Sequence, residues 1–403
     1  MPASDWRRIL VVFWLTSFVE GVGVSQVFAL LPAHLAGIGV PDADRVSFVG
    51  LFSSLLFVLG LPLVPLWGVW ADKYSRKAVI VRSAIVEAIV FGGLALSVEP
   101  WQVAASVLLI GFQLGNTGVM LAGIRDVTPL PRLGRTIAIF GASGPVGFAA
   151  GPAIAGLLID GAGGTIAGVF WLSAALSVGT AALVGFGSRE IRPEVVPQGR
   201  VLVLAFGAMR SVLSDPVVRR LFFVFAIAFL AANMARPFIP LLVEGLVGRG
   251  PGLASSIALV VGTASLVGAL LSPLAGALGD RVGFGLVLVV ALASLGLGLA
   301  LMTASLSVPV LAIVAIAVAG AQSTVGAMVF SLLATEVPAE RRSATLNLVY
   351  LPLYATGIVG PAISVGVAEL GGLLAPFWAA GAVAIAGALV VAASRPRGPV
   401  PRR

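Results

Sequence analysis

The sequence predicts an all-α polytopic membrane protein with twelve transmembrane helices in two similar six-helix bundles. Three observations carry this: apolar runs of about 20 residues recur from end to end, charges are too few for a soluble domain, and the two halves repeat each other. Of 403 residues, 59% are hydrophobic and 10% charged, and the mean hydropathy is +1.09. A soluble domain carries roughly a quarter of its residues as charges.

The spans are expected at about 9–32, 46–69, 78–98, 101–124, 136–159, 166–187, 219–243, 254–276, 284–306, 308–333, 344–367 and 373–393, numbered 1 to 12 below. At about 1.5 Å of rise per residue each crosses the roughly 30 Å hydrocarbon layer. The opening MPASDWRRILVVFW resembles a signal peptide, but no Ala-x-Ala-like site follows its long apolar run, so a retained first span is expected. Many of the 50 glycines stand in small-xxx-small pairs such as Gly111/Gly115 and Gly147/Gly151, which let helix backbones approach closely in lipid. Of the 25 prolines, those within spans predict kinks.

With both termini placed in the cytoplasm, every lysine and arginine except Arg45, Arg236 and Arg249 falls on the inner side. That asymmetry orients a multi-pass protein of a bacterial inner (plasma) membrane. It also accounts for the net charge of +8, so nucleic acid is not an expected partner. The longest polar segment divides the chain into a bundle at 1–187, a linker at 188–218 and a second bundle with a short basic tail at 219–403. The later part of the linker reads either as a short amphipathic helix on the membrane face or as plain connection.

Without cysteine there is no disulfide or thiolate metal site, and the single histidine, His34, has no partners for zinc. No cofactor is expected. A membrane-embedded enzyme would need a nucleophile with a base, or a ligand set, and none is present.

The halves echo each other at an offset near 208. GVWADKYS, with Gly68, Asp72 and Lys73, answers to GALGDRVG, with Gly276, Asp280 and Arg281. One position out of step, Pro129, Arg132 and Gly151–Pro152 match Pro338, Arg341 and Gly360–Pro361. Parallel six-span repeats imply two bundles around an axis along the membrane normal, with a cavity between them.

The charged cluster between spans 2 and 3 resembles the GxxxD(R/K)xGR(R/K) signature of the major facilitator superfamily, at Gly68, Asp72, Lys73, Arg76 and Lys77. Ser75 replaces the usual glycine, and Phe284 replaces an arginine in the second copy at Asp280 and Arg281. The resemblance covers essentially the whole chain and implies the superfamily's fold and alternating access. It implies an inner gate in which Asp72 accepts bonds from a neighbouring helix N-terminus and Arg76 pairs with Asp126. On the residues alone, Lys73, Arg76 and Lys77 are equally topology anchors.

Span 5 reads GASGPVGFAAGPAIAG and resembles the GxxxGPxxGG signature of the superfamily's exporters, chiefly drug–proton antiporters. Gly147, Gly151, Pro152 and Gly156 are in register and Ala155 replaces a glycine. The pattern also serves ordinary close packing. The LxxRxxxG pattern of proton-coupled members fails: Gly111 stands where span 4 should carry arginine, and Gln113, Asn116 and Thr117 follow as neutral polar groups.

Two acids lie at mid-span, Glu20 and Glu87. An ionised carboxylate is expensive there, so each must be paired, hydrated or protonated. Both are candidates for proton coupling or substrate contact, with a structural interhelical bond as the alternative reading, favoured for Glu87. Further cavity candidates are Trp14, Phe18, Gln26, Asn233, Arg236 and Gln322.

The expected function is a secondary active exporter of hydrophobic or amphipathic small molecules, of the efflux and multidrug-resistance kind, in exchange for protons. A lipid or lysolipid translocase of the same fold, or a proton-independent facilitator, is the alternative. The expected partners are a lipophilic small-molecule or lipid substrate, protons and membrane lipids, and the working unit is expected to be a monomer.

Overall fold

The computed structural model describes residues 5–193, 196–336, 348 and 351–393. Pro338, Arg341, Arg342 and the tail arginines Arg395, Arg397, Arg402 and Arg403 lie outside them. The described chain is helical throughout, with twelve membrane-length spans. They are Trp6–Gly37, Asp42–Lys73, Arg76–Leu96, Pro100–Val127, Leu130–Gly161, Ile166–Gly187, Pro216–Val247, Leu253–Val282, Phe284–Met302, Val308–Leu333, Leu351–Gly371 and Ala375–Ala393. Helices satisfy their own backbone polar groups, so spans can extend past the apolar window, as span 2 does from Asp42 through Lys73. A shorter helix, Val201–Ser214, lies in the segment between the two pseudo-symmetric bundles.

Several spans are broken where the apolar pattern runs smoothly. Span 4 is two helices, Pro100–Gln113 and Asn116–Val127, joined at Gly115, whose φ of 98° suits glycine. Span 7 runs to Ala235, tightens into a 3-10 turn at Arg236–Phe238 and resumes at Ile239. Pro237 and Pro240 each lack the amide an uninterrupted helix needs there. Span 8 carries a π turn at Ala258–Gly262.

On the side away from the termini, the bundles meet closely. A Cβ on Gly50 of span 2 would stand 2.5 Å from Val365 of span 11 and 3.2 Å from Phe238 of span 7. One on Gly156 of span 5 would stand 3.0 Å from the Ser255 backbone of span 8. Asp160 adds a bond, accepting from the Ser255 amide at 2.7 Å. On the terminal side the bundles are parted by a cavity.

Candidate functional site

The cavity is about 930 Å³ and runs between the bundles from Arg236 and Phe28 at its far end to Asp72 and Ala205 at the terminal face. Apolar side chains, among them Phe148, Phe229, Val260 and Met302, make most of its wall. Glu20, Gln113, Asn116, Thr117, Arg236 and Gln322 all line it. Trp14 and Phe18 do not. They stack on each other at 5.4 Å on the face of span 1 toward span 5, where the Trp14 indole donates to the Ile139 carbonyl. Gln26 is also off the cavity, fully buried between the Gly151 carbonyl at 3.3 Å and the Ser173 hydroxyl. Asn233 faces Thr356 of span 11 at 3.4 Å and packs beneath Gly360.

The break in span 4 brings Asn116 onto Glu20, whose carboxylate accepts from the Asn116 amide. Glu87 is completely buried just behind, against Gly23 of span 1, and neither of its oxygens makes a hydrogen bond of normal geometry among the described residues. Gln113 and Ser177 face it, and Glu20 is its nearest like charge.

The cation of this cluster is Arg82. From sequence it counts among the inner-surface anchors, yet its guanidinium lies 3.6 Å over the Trp67 ring, within electrostatic reach of Glu20. One of its nitrogens donates to Ser83 at 2.9 Å, while Nε and the other terminal nitrogen are buried without a partner among the described residues.

Among the described residues, Arg236 at the break in span 7 is the cation that lines the cavity itself. Its guanidinium sits 5.9 Å from the Phe28 ring and 6.0 Å from the Phe148 ring, and no carboxylate among the described residues pairs with it. At that range each ring contributes about 1 kcal/mol or less. Desolvation of an ion costs several kcal/mol, so the rings offset only part of it.

The charged cluster at the terminal face is built as a relay of ion pairs. Arg76, 2% exposed, donates through Nε and a terminal nitrogen to Asp72 at 2.8 Å, and through its other nitrogen to Asp126 at 2.7 Å. The anion at the span 3 N-terminus is Glu190 rather than Asp72. It accepts from the Arg76 amide at 2.9 Å and from the Ser75 hydroxyl, where exposed helix N–H groups favour negative charge. Asp72 instead faces its own Arg76 and the cavity, because the helix of span 2 runs on through it. Lys73 and Lys77 donate to the carbonyls of Gly199 and Ser188, tying the cluster to the segment after span 6. In the second half, Asp280 and Arg281 are exposed.

Asp72→Asn should cut turnover by about tenfold while leaving equilibrium substrate binding within about twofold, since Arg76 keeps Asp126 but loses its partner on the cavity rim. Flux and binding assays on one preparation would show it. Wild-type flux from the variant would reduce Asp72 to an anchor.

A Major Facilitator Superfamily model matches residues 13–255 and 252–403, nearly the entire chain. The chain belongs to the major facilitator superfamily. Among its relatives is a multi-drug resistance efflux pump PmrA homolog of Lactococcus lactis, 27% identical over 280 residues, covering 69% of this chain and 68% of the relative. The multidrug resistance protein MdtG of Yersinia enterocolitica is 29% identical over 283 residues, covering 69% and 67%. Of solved structures, the human organic anion transporter MFSD10 aligns with a TM-score of 0.69 at 20% identity over 97% of this chain and 100% of that one. The nucleoside transporter NupG aligns at 0.73 and 17% identity, over 96% and 99%. These structures share the fold. The protein is a multi-pass secondary transporter of the superfamily, related to bacterial efflux pumps, and not an enzyme.

The superfamily's span-5 pattern packs on two sides in this chain. A Cβ on Gly147 would stand 2.1 Å from the Phe18 carbonyl oxygen, and one on Gly151 2.0 Å from the Ser25 hydroxyl, so spans 1 and 5 touch backbone to backbone. Gly156 makes the contact with span 8 instead, and Pro152 is buried within the helix between them. The missing span-4 arginine also has a steric reason. A Cβ on Gly111 would stand 2.6 Å from the Gly60 nitrogen and 2.6 Å from Leu59, where span 2 itself is interrupted, so no side chain fits.

Sequence reasoning missed a latch at the far side. Glu244 of span 7 accepts a two-pronged bond from Arg45 of span 2, at 3.0 and 2.8 Å, and a further one from Arg249 at 2.6 Å. Asp42 joins both arginines. Arg249, beyond the end of span 7, is held above the usual guanidinium range by its bonds to Glu244 and Asp42. The available signal was weak: the only basic residues on the far side were Arg45, Arg236 and Arg249, and Glu244 was the one acid at that end of span 7.

Proposed function

We propose that the protein exports hydrophobic or amphipathic small molecules by alternating access, exchanging them for protons. The terminal face is taken as cytoplasmic from the distribution of basic residues, and segments 1–187 and 219–403 as the two rocking bodies joined through 188–218. The observation that carries the reading is a carboxylate, Glu20, facing a largely apolar cavity between bundles that is closed at its far end. Glu20 has the Arg82 guanidinium within electrostatic reach and Glu87 as a like-charged neighbour, so the three groups together are electrically balanced when one proton is bound. Losing that proton leaves uncompensated charge in the membrane, which favours the state that lets a proton or a substrate in. The names of the efflux-pump relatives agree with this direction of transport.

Proteoliposomes with an acidic lumen test it. Inside-out molecules should accumulate labelled lipophilic compounds as protons leave, and an ionophore that collapses the gradient should release them. No gradient-dependent accumulation across cationic, neutral and anionic lipophilic probes would overturn the proposal.

A further inference from the structure

We propose that the far end of the cavity is an anion site, in which Arg236 receives the single oxyanion of an amphiphile whose apolar body lies along the cavity toward Glu20. This deepens the exporter reading and rests on it.

Arg82 has Glu20 within electrostatic reach, and the other arginines that hold this fold together are each given a carboxylate. Arg45 has Glu244, Arg76 has Asp72 and Asp126, and Arg249 has Glu244 and Asp42. Arg236 is treated differently. The chain breaks span 7 to place its guanidinium on the cavity, frames it with the rings of Phe28 and Phe148, and supplies no acid from the described residues. Glu20 is not within reach as a partner: it lies two turns back from Phe28, about 12 Å along span 1, and it is bonded to Asn116. The described structure therefore leaves a permanent positive charge in an apolar chamber with its counter-charge missing.

A ligand that brings that counter-charge completes the site. The planar fork of a guanidinium matches two oxygens of a carboxylate, sulfonate or phosphodiester, and the flanking rings suit the first carbons of an apolar chain. Gln322, which also lines the cavity, has both amide atoms without a partner among the described residues and can meet a neutral polar group on the ligand. A multiply charged anion would find one cation at this end, and a lipophilic cation would meet a like charge there. The cavity volume of about 930 Å³ accommodates a ligand of lipid or drug size.

The test is equilibrium binding of dansyl-undecanoate and of its methyl ester to the full chain in nanodiscs, with empty nanodiscs subtracted. Wild type should bind the acid about tenfold or more tightly than the ester. Arg236→Gln should lower affinity for the acid by about tenfold while leaving the ester within about twofold, and Arg236→Lys should recover part of the preference. Ester binding shows that each variant is folded. Displacement of the acid by lysophosphatidylglycerol and not by a naphthalenesulfonate identifies a lipid phosphodiester as the source of the oxyanion. The reverse pattern identifies a free organic anion, and either supports the site. Equal wild-type affinity for acid and ester, or undiminished acid binding by Arg236→Gln, overturns it. Binding is read without a pH gradient. Lost proton-driven flux with charge preference intact would thus sink the exchange reading alone, and lost preference with flux intact would sink the anion site alone.

Discussion

Glu20→Gln is expected to abolish pH-driven accumulation, by about tenfold or more, while substrate exchange across a membrane without a gradient continues. Glutamine keeps the size of the side chain and can still bond to Asn116, so the cavity wall should survive. What it cannot do is take up and release a proton. Glu87 and Arg82 are then balanced with no proton bound, and the middle of the cavity no longer presents a carboxylate for the driving gradient to act on. Counterflow of labelled against unlabelled substrate measures exchange, and the same vesicles given an acidic lumen measure coupling. Wild-type accumulation under the gradient would remove Glu20 from the proton path. Loss of both activities would mean that Glu20 holds substrate or structure instead of protons.

Glu244→Gln is expected to release the far side. Arg45 has 7% of its side chain exposed and Glu244 11%, so the pair is nearly dry, and its two-pronged geometry joins span 2 of one bundle to span 7 of the other. Removing one member of a buried pair costs about 3–5 kcal/mol. Because Asp42 still contacts Arg45 at 3.2 Å, the lower half of that range is expected. About 1.4 kcal/mol changes a two-state ratio tenfold, so the population open at the far side should rise by at least about tenfold. The chain contains no cysteine, so a single one at Phe28, near the far end of the cavity, gives a clean probe. In sealed vesicles of defined orientation, a membrane-impermeant maleimide added from the far side should label it faster in the Glu244→Gln background. Exchanging the charges, with Arg45→Glu and Glu244→Arg together, should restore slow labelling. Unchanged labelling would mean that the apolar contacts at Gly50 and Gly156 close that side without the ion pair.

Hydropathy and the distribution of charge made the twelve spans and their pairing into halves legible, because lipid forces every span to be a long apolar helix. The same uniformity hid the breaks. Nothing in the apolar pattern marks Gly115 as a left-handed residue or separates it from the tightly packed Gly111. Arg82 and Arg236 show the matching weakness in sorting charges by loop. A residue near a span end can turn its long side chain back into the membrane, and whether it does so depends on a neighbour on another helix, such as Trp67 for Arg82 or Phe28 for Arg236. The Asp72 and Arg76 pair was readable because both sit in one compact motif, whereas Asp126, fifty residues on, was reached only through the gate network that the resemblance implies. Glu190 and the Arg45–Glu244 pair were not readable, since the partners lie more than a hundred residues apart and only the packed fold brings them together.

The seam between spans 1 and 5 has a mechanical consequence. Where Gly21, Gly147 and Gly151 press main chain on main chain, neither helix can slide past the other without collision, so the pair must tilt as a single beam. Glu20 is fixed next to that seam, and Gly156 carries the beam's far tip onto the opposite bundle. A change of protonation at the middle of such a beam would be felt at its tip as leverage, with no chain of intervening side chains needed to convey it.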